Sequence, residues 1–259
     1  MRSEQRPRGE PVLARAARIL QAFTPEEPEL SVSEVGRRAG LHVATASRLI
    51  AAMVGLGLLA RTPAGRVRIG VRLWELAQRA SPTLGLREAA MPFLEDLHAV
   101  IGHHVQLGVL DAGEVLFVER LSARDAVVNV TRIAGRLPVH ASSTGLVLLA
   151  WAPRELQERV ITGPLSAYTP ATVTSPARLR ALLAGIRRQG HVVCDGHIHA
   201  DATGVAVPVR SGPDPAAPVV AGLSVIVPSD GRASSLVPAL QAAARGIARR
   251  VGGSSSLVQ

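Results

Sequence analysis

Three groups of residues in this 259-residue chain have types and spacings that could do chemistry. The first is the stretch His191-Val-Val-Cys194-Asp195-Gly-His197-Ile-His199-Ala-Asp201. Side chains of an extended segment alternate, so Asp195, His197, His199 and Asp201 would project from one face. A His-x-His pair flanked by carboxylates offers ligand types that suit zinc. The same side chains could line an organic-ligand pocket or stand on a solvated loop, and the sequence leaves all three readings open. The second group is Ser142, Ser143 and Thr144, just ahead of an apolar run that starts at Gly145. Their hydroxyls either cap a helix or join the free amides at its start in meeting an anionic or carbonyl ligand. The third is an excess of arginine. Residues 1–79 hold 13 Arg, 7 Glu and no Asp, a net of +6 out of the chain's +9. The chain has no lysine, and a guanidinium donates bidentate hydrogen bonds to phosphate and guanine.

Catalysis has less to stand on. A nucleophile and base drawn from Ser142, Ser143 or Ser224 with His140 and Asp195 would lack a Gly-x-Ser-x-Gly elbow. No phosphate-binding glycine loop is present, and no third dedicated ligand accompanies the histidines. The chain reads as a non-enzyme; the alternatives are a zinc-binding sensor and, behind it, a metal-dependent hydrolase. No cofactor is required by any motif, zinc at His197 and His199 being the one candidate. At 47% hydrophobic the chain can bury more than one core, and its length suggests about two domains. A single cysteine, Cys194, excludes an internal disulfide and fits a reducing compartment. The charged start lacks the apolar run of a signal peptide, and nowhere do about 18 apolar residues follow one another. A cytoplasmic protein without a membrane partner is expected.

The elements that would position the arginines follow from periodicity. Val12, Leu13, Ala16, Ile19, Leu20 and Phe23 recur at helical spacing before the Thr-Pro-Glu-Glu-Pro turn. Ser31 with Glu34 three residues on predicts a capping box and a helix to about Ala39, and Gly40 suits a tight turn. A further helix over 43–55 buries Ala46, Leu49, Ile50 and Met53, leaving Ala44, Thr45, Ser47, Arg48 and Ala52 to face outward. This is the geometry of a helix-turn-helix whose second helix enters the major groove. Strands on either side of Thr62-Pro63-Ala64-Gly65 predict a wing, on which Arg61, Arg66 and Arg68 would meet phosphates or the minor groove. Double-stranded DNA is the expected partner, bound as a palindromic operator if the protein is a two-fold assembly. A helix carrying Leu73, Trp74 and Leu76 follows and is broken at 81–85. Together with Leu13 and Ile19 it carries more apolar surface than a lone domain can bury, which predicts a dimer contact.

Beyond the break, a helix over 86–101 precedes strands at 105–109, 115–118 and 127–130, helices at 144–151 and 177–189, and strands at 204–209 and 219–227. Helices and strands mix without strict alternation, so the fold class is α+β. The expected domains are a flexible tail at 1–10, a winged helix-turn-helix at 11–70, a linker helix and boundary at 71–85, a second domain at 86–251 and a flexible tail at 252–259.

Several segments carry a family resemblance: VLARAARILQAF, LSVSEVGRRAGLHVATASRLIAAMVGLGLLAR, GRVRIGVRLWELA, LREAAMPFLEDL, HVQLGVLDAGEVLFVERL, AGRLPVHASSTGLVLLA, GVAVPVR and AGLSVIVP. In this order, over roughly residues 11–251, the chain resembles IclR-type bacterial transcriptional regulators. The resemblance implies a winged-helix domain, a linker helix and a GAF-like mixed α/β domain that binds a small-molecule effector. It also implies a homodimer, commonly paired into a homotetramer on DNA, with repression as the expected mode. An effector pocket lined by Leu137, Ser143, Gly145, Leu146, Asp195, Gly204 and Ser224 is implied in turn. Gly145 would then admit a ligand close to the chain, and Ser224 would bond either a ligand oxygen or a backbone carbonyl. The family usually has lysine where Leu146 stands and an acidic stretch where this chain has histidines. Those departures predict a mainly apolar effector, aromatic or acyl, with its polar end fixed by Asp195, His197 or a serine. They also predict that a charge at Leu146 would abolish the ligand response.

Overall fold

The computed structural model describes residues 10–79, 82–123, 127 and 133–254. The chain divides into two compact units, Met1–Ser81 and Pro82–Gln259. The first unit packs helices α1 (Val12–Gln21), α2 (Val32–Arg38) and α3 (Val43–Gly55) with strands β1 (Glu29–Leu30), β2 (Leu59–Arg61) and β3 (Val67–Ile69), and continues into α4 (Val71–Arg79). The capping box forms. Ser31 Oγ accepts from the Glu34 N–H at 3.2 Å, and the Glu34 carboxylate accepts from the Ser31 N–H at 2.7 Å. The backbone bond from Ser31, then its hydroxyl, holds the Glu34 carboxyl below its ordinary pKa. Gly40 takes a φ of +61° at the turn between α2 and α3. Ile19, Leu30, Val35, Ala46, Ile50, Leu59 and Val67 form the buried centre.

Strand β1 has no counterpart in the sequence reading, because two residues are too few to show alternation. Pairing holds it in place, Glu29 opposite Arg68 and Leu30 opposite Val67, which makes the wing three-stranded in the order β1-β3-β2.

The second unit is built on a six-stranded antiparallel sheet. Its chain order is β4 (His104–Asp111), β5 (Glu114–Leu121), β6 (Arg136–Pro138), β7 (Val192–Asp195), β8 (Ala202–Arg210) and β9 (Val219–Pro228), and its spatial order is β6-β5-β4-β9-β8-β7. Ala112 and Gly113, both at positive φ, close the β4–β5 hairpin with a two-residue turn. Side-chain alternation separates two cores. Val105, Leu107, Val205, Val207, Leu223 and Val225 meet α5 (Pro82–Ile101) and α9 (Val237–Ser254). Val115, Phe117, Val192, Cys194 and Ala206 meet α6 (Ser143–Ala150) and α8 (Pro176–Gln189), joined by the buried Ile161 of α7 (Arg154–Thr162) and by its half-buried Val160. The fold is α+β.

Two domain boundaries differ from the sequence reading. Helix α5 starts at Pro82, so 83–85 continue the helix; the exposed Gly85 costs only about 1 kcal/mol against alanine, which the packing of α5 on the sheet outweighs. Helix α9 runs to Ser254, and its end packs closely on the β8–β9 hairpin: a Cβ built on Gly252 would lie 3.1 Å from Gly212 Cα. The strand expected at 127–130 falls largely outside the described residues. Among the described residues no helix is long and apolar enough to cross a membrane.

Candidate DNA interface and ligand cavity

Helix α3 starts at His42, whose Nδ1 accepts from the Ala44 N–H at 3.3 Å. Ala44, Arg48, Ala51 and Ala52 are exposed along its outer face, Thr45 and Ser47 are half-buried, and Ala46, Ile50 and Met53 are buried opposite. Arg61 and Arg68 are exposed on the wing. Arg66 is engaged: its guanidinium donates to the Glu29 carbonyl at 2.6 Å and lies 3.6 Å from the Glu34 carboxylate. It ties β1 and the start of α2 to the wing, a structural duty beside any phosphate contact.

In the second unit the α6 N-terminus rests on the sheet over glycines. A Cβ at Gly108 or Gly222 would collide with the Thr144 methyl, and one at Gly204 with the Ser143 hydroxyl. The three hydroxyls ahead of the apolar run have three different fates. Ser142 Oγ caps the helix by accepting from the Gly145 N–H at 3.1 Å. Thr144 Oγ1 donates to the fully buried Ser224 Oγ at 2.7 Å. The Ser143 side chain makes no hydrogen bond among the described residues and faces a cavity.

That cavity holds about 470 Å³ of space, part of it open to solvent. Phe117, Leu137, Ala141, Ile198, Ala202 and Ile226 give it apolar walls; Gln106, Ser143, Cys194, His197 and His199 are its polar or polarisable groups. His197 Nδ1 is buried without a hydrogen-bond partner. Burial is also the largest cause of its lowered pKa, so the ring is neutral at neutral pH. Burial pushes the Cys194 thiol far up, leaving it protonated and inert.

Of the expected pocket residues the structure brings Leu137, Ser143 and Gly204 to the cavity wall, and four lie off it. Gly145 approaches the chain itself: a Cβ there would sit 2.5 Å from Val139 Cα. Leu146 is fully buried in the core beneath α6, so a charge there would be an unpaired buried charge that disrupts the domain before it reports on a ligand. Asp195 is exposed, with its carboxylate accepting from the Ser229 and Thr203 hydroxyls, which lower its pKa in that order. Ser224 has Thr144 as partner, neither a ligand oxygen nor a backbone carbonyl.

The histidine stretch also departs from the extended geometry assumed for it. Strand β7 ends at Asp195, Gly196 takes a φ of +68°, and the chain turns through 196–201. Asp195, His197, His199 and Asp201 therefore do not share a strand face. Asp201 Oδ2 is 4.0 Å from His199 Nδ1, and among the described residues no three His, Cys, Asp or Glu side chains could hold a metal ion. The zinc reading loses the alignment on which it rested.

Gln106, Cys194 and Ile226 escaped the sequence reading of the pocket. Gln106 had a signal: one polar residue at an inward position of the apolar strand His-Val-Gln-Leu-Gly-Val.

The profile of the IclR helix-turn-helix domain matches residues 12–63, and that of the bacterial transcriptional regulator IclR C-terminal domain matches residues 78–251. The chain belongs to the IclR family. Its relatives are transcriptional regulators, not enzymes. The crystal structure of an IclR homolog complexed with 4-hydroxybenzoate, from Microbacterium hydrocarbonoxydans, is 45% identical, with a TM-score of 0.88 over 94% of this chain and 100% of that one. A structure of a transcriptional regulator from Rhodococcus sp. RHA1 has a TM-score of 0.78 at 28% identity, covering 94% of this chain and 98% of that one. The regulator XynR of Escherichia coli is 30% identical over 75% of this chain and 78% of its own length.

This IclR regulator also carries a pH-sensitive group in its second unit. The buried His104 donates from Nε2 to the Val127 carbonyl at 2.6 Å, so its Nδ1 accepts from the Ser122 hydroxyl at 3.0 Å. Arg120 Nε donates to the same hydroxyl at 2.8 Å. Burial is the main cause that lowers the His104 pKa below its ordinary 6.5. The unfolded chain therefore binds a proton that the folded domain refuses, and stability, complete above that value, falls as pH drops below it. The melting temperature is expected to fall between pH 7.5 and 5.5, and His104→Gln should flatten the fall. Identical slopes for the two proteins would remove His104 from the account.

Proposed function

We propose that this protein is a ligand-responsive transcriptional repressor whose effector is a small aromatic carboxylate bound in the cavity at the α6 N-terminus. One observation carries the reading: the Ser143 hydroxyl and His197 Nδ1 are both without partners on the wall of a mainly apolar cavity. A ring would lie among Phe117, Leu137, Ile198 and Ile226, and its polar substituents would satisfy Ser143 and His197 beside the positive end of α6. The homolog that is 45% identical holds 4-hydroxybenzoate, an aromatic ligand with polar ends, and that likeness supports the same ligand class here.

On the DNA side, Ala44, Thr45, Ser47 and Arg48 of α3 would face the major groove, with Arg61, Arg66 and Arg68 on phosphates. Selection from random duplexes by the full-length protein is expected to enrich palindromes with half-sites on one face of the helix. Enrichment of a single asymmetric half-site would argue against a two-fold reader.

Assembly follows from exposed apolar surface in the first unit. Leu13 is 79% and Trp74 64% exposed, and Val12, Val71 and Leu76 add to them, while Ile19 lies wholly in the core and contributes nothing outside. A second copy would cover this surface in an isologous dimer, with pairing into a tetramer open to it. Sedimentation at micromolar concentration should give a dimer or larger for the native chain. Leu13→Arg with Trp74→Arg should shift it toward smaller species, and a native monomer would contradict the reading.

A further inference from the structure

A second concavity of the effector-binding unit shares no wall residue with the cavity. It is open to solvent, spans about 1090 Å³, and is lined by Trp151, Arg187, Arg188, Arg210, Arg245 and Arg249 among others. The fold explains the convergence. Arg187 and Arg188 end α8, Arg210 ends β8, and Arg245 and Arg249 stand four residues apart on one face of α9. Strand β7 pairs only with Thr203–Ala206, so the groove follows the edge of β8 that β7 leaves uncovered from Val207 onward.

Two of the five guanidiniums are fixed without being neutralised. Arg187 donates to the Ala150 carbonyl at 3.1 Å. Arg210 donates to the Ala217 carbonyl at 2.6 Å and lies 5.6 Å from the Trp151 ring centre. Arg188, Arg245 and Arg249 are exposed and have neither a hydrogen bond nor an ion pair among the described residues. Among the described residues no carboxylate lines the groove. Asp214, in the hairpin at its rim, accepts from the Ala216 N–H of its own loop at 2.8 Å. Three arginines elsewhere in the unit do have acidic partners: Arg87 pairs with Glu119, Arg136 with Asp111 and Arg180 with Glu158. Five like charges around one concavity repel one another, and an anion placed among them relieves that repulsion.

We propose that this groove is a binding site for a polyphosphate of the nucleoside di- or triphosphate class. The phosphates would bridge Arg188, Arg245 and Arg249, whose planar forks match phosphate oxygens bidentately. The base would lie toward Trp151, since aromatic rings hold bases by stacking. A monovalent anion would engage only one or two of the guanidiniums. A DNA duplex carries its phosphates on a convex surface and would reach only the rim.

Calorimetry on the full-length protein at 0.15 M salt, with ATP as the probe, tests this. ATP is expected to bind, inorganic tripolyphosphate to compete with it, and Arg245→Gln with Arg249→Gln to weaken ATP at least tenfold. Both positions are exposed, so folding is not at stake, and replacing the wing residues Arg66 and Arg68 by alanine should leave ATP affinity unchanged. No ATP binding, equal binding by the α9 variant, or loss through the wing variant would each overturn the proposal. So would tighter, variant-sensitive binding of a poly-glutamate peptide, which would make an acidic segment the occupant.

Discussion

Replacing Arg48 and Arg68 together by alanine is expected to weaken operator binding by about a hundredfold or more while leaving the fold intact. Arg48 stands exposed in the outer row of α3, and Arg68 stands exposed on β3, so neither contributes to the buried centre of its unit. An arginine on a base edge discriminates by roughly 1–3 kcal/mol, and one on a phosphate adds sequence-independent affinity with about one unit of salt slope. The two effects separate. Arg48→Ala should reduce the preference for the selected palindrome over random duplex, and Arg68→Ala should weaken both alike and flatten the salt dependence. Arg66→Ala is the poorer probe, because losing its bond to the Glu29 carbonyl loosens β1 as well. If the double variant bound the palindrome as the native protein does at several salt concentrations, α3 and the wing would not be the DNA-reading face.

Ser143→Ala is expected to lower the affinity for 4-hydroxybenzoate about tenfold or more and to leave DNA binding without ligand unchanged. The hydroxyl faces the cavity and bonds nothing within the chain, so its removal costs the folded protein little. A hydrogen bond to a charged group contributes roughly 1.5–3 kcal/mol, which the variant would forfeit only in the complex. Thr144→Val is the contrast. It breaks the bond to Ser224 inside the core and should lower thermal stability through the stranded hydroxyl rather than act through ligand contact. Equal ligand affinity in Ser143→Ala would remove this serine from the site.

The parts of this fold that were legible from sequence are those where local chemistry and tertiary packing agree. Ser31 and Glu34 cap α2 because both partners of the box lie within one turn, and Ala46, Ile50 and Met53 keep the period that α3 buries. The pocket was less legible because its walls come from β4, β5, β6, α6, β7, the turn after it, β8 and β9. Sequence spacing says nothing about which hydroxyl of Ser142, Ser143 and Thr144 faces which neighbour; that depends on Gly108, Gly204 and Gly222 letting α6 settle on the sheet. The histidine stretch misled for a specific reason. Period-two reasoning needs an extended chain, and Gly196 at positive φ ends the strand two residues before His197 could use it. Leu146 misled for another. Its departure from the family's lysine pointed to ligand polarity, whereas the leucine packs in the core under α6.

The coupling between the cavity and DNA is tested most directly by fluorescence anisotropy of a labelled, selected palindrome titrated with full-length protein at fixed salt, with and without saturating 4-hydroxybenzoate. A ligand that binds one arrangement of the protein better shifts the population that fits DNA, typically by about 5- to 150-fold in affinity. The predicted result is a loss of DNA affinity of at least about fivefold on adding the ligand, with Ser143→Ala needing about ten times more ligand for the same shift. Unchanged DNA affinity under conditions where calorimetry finds the cavity saturated would contradict the account.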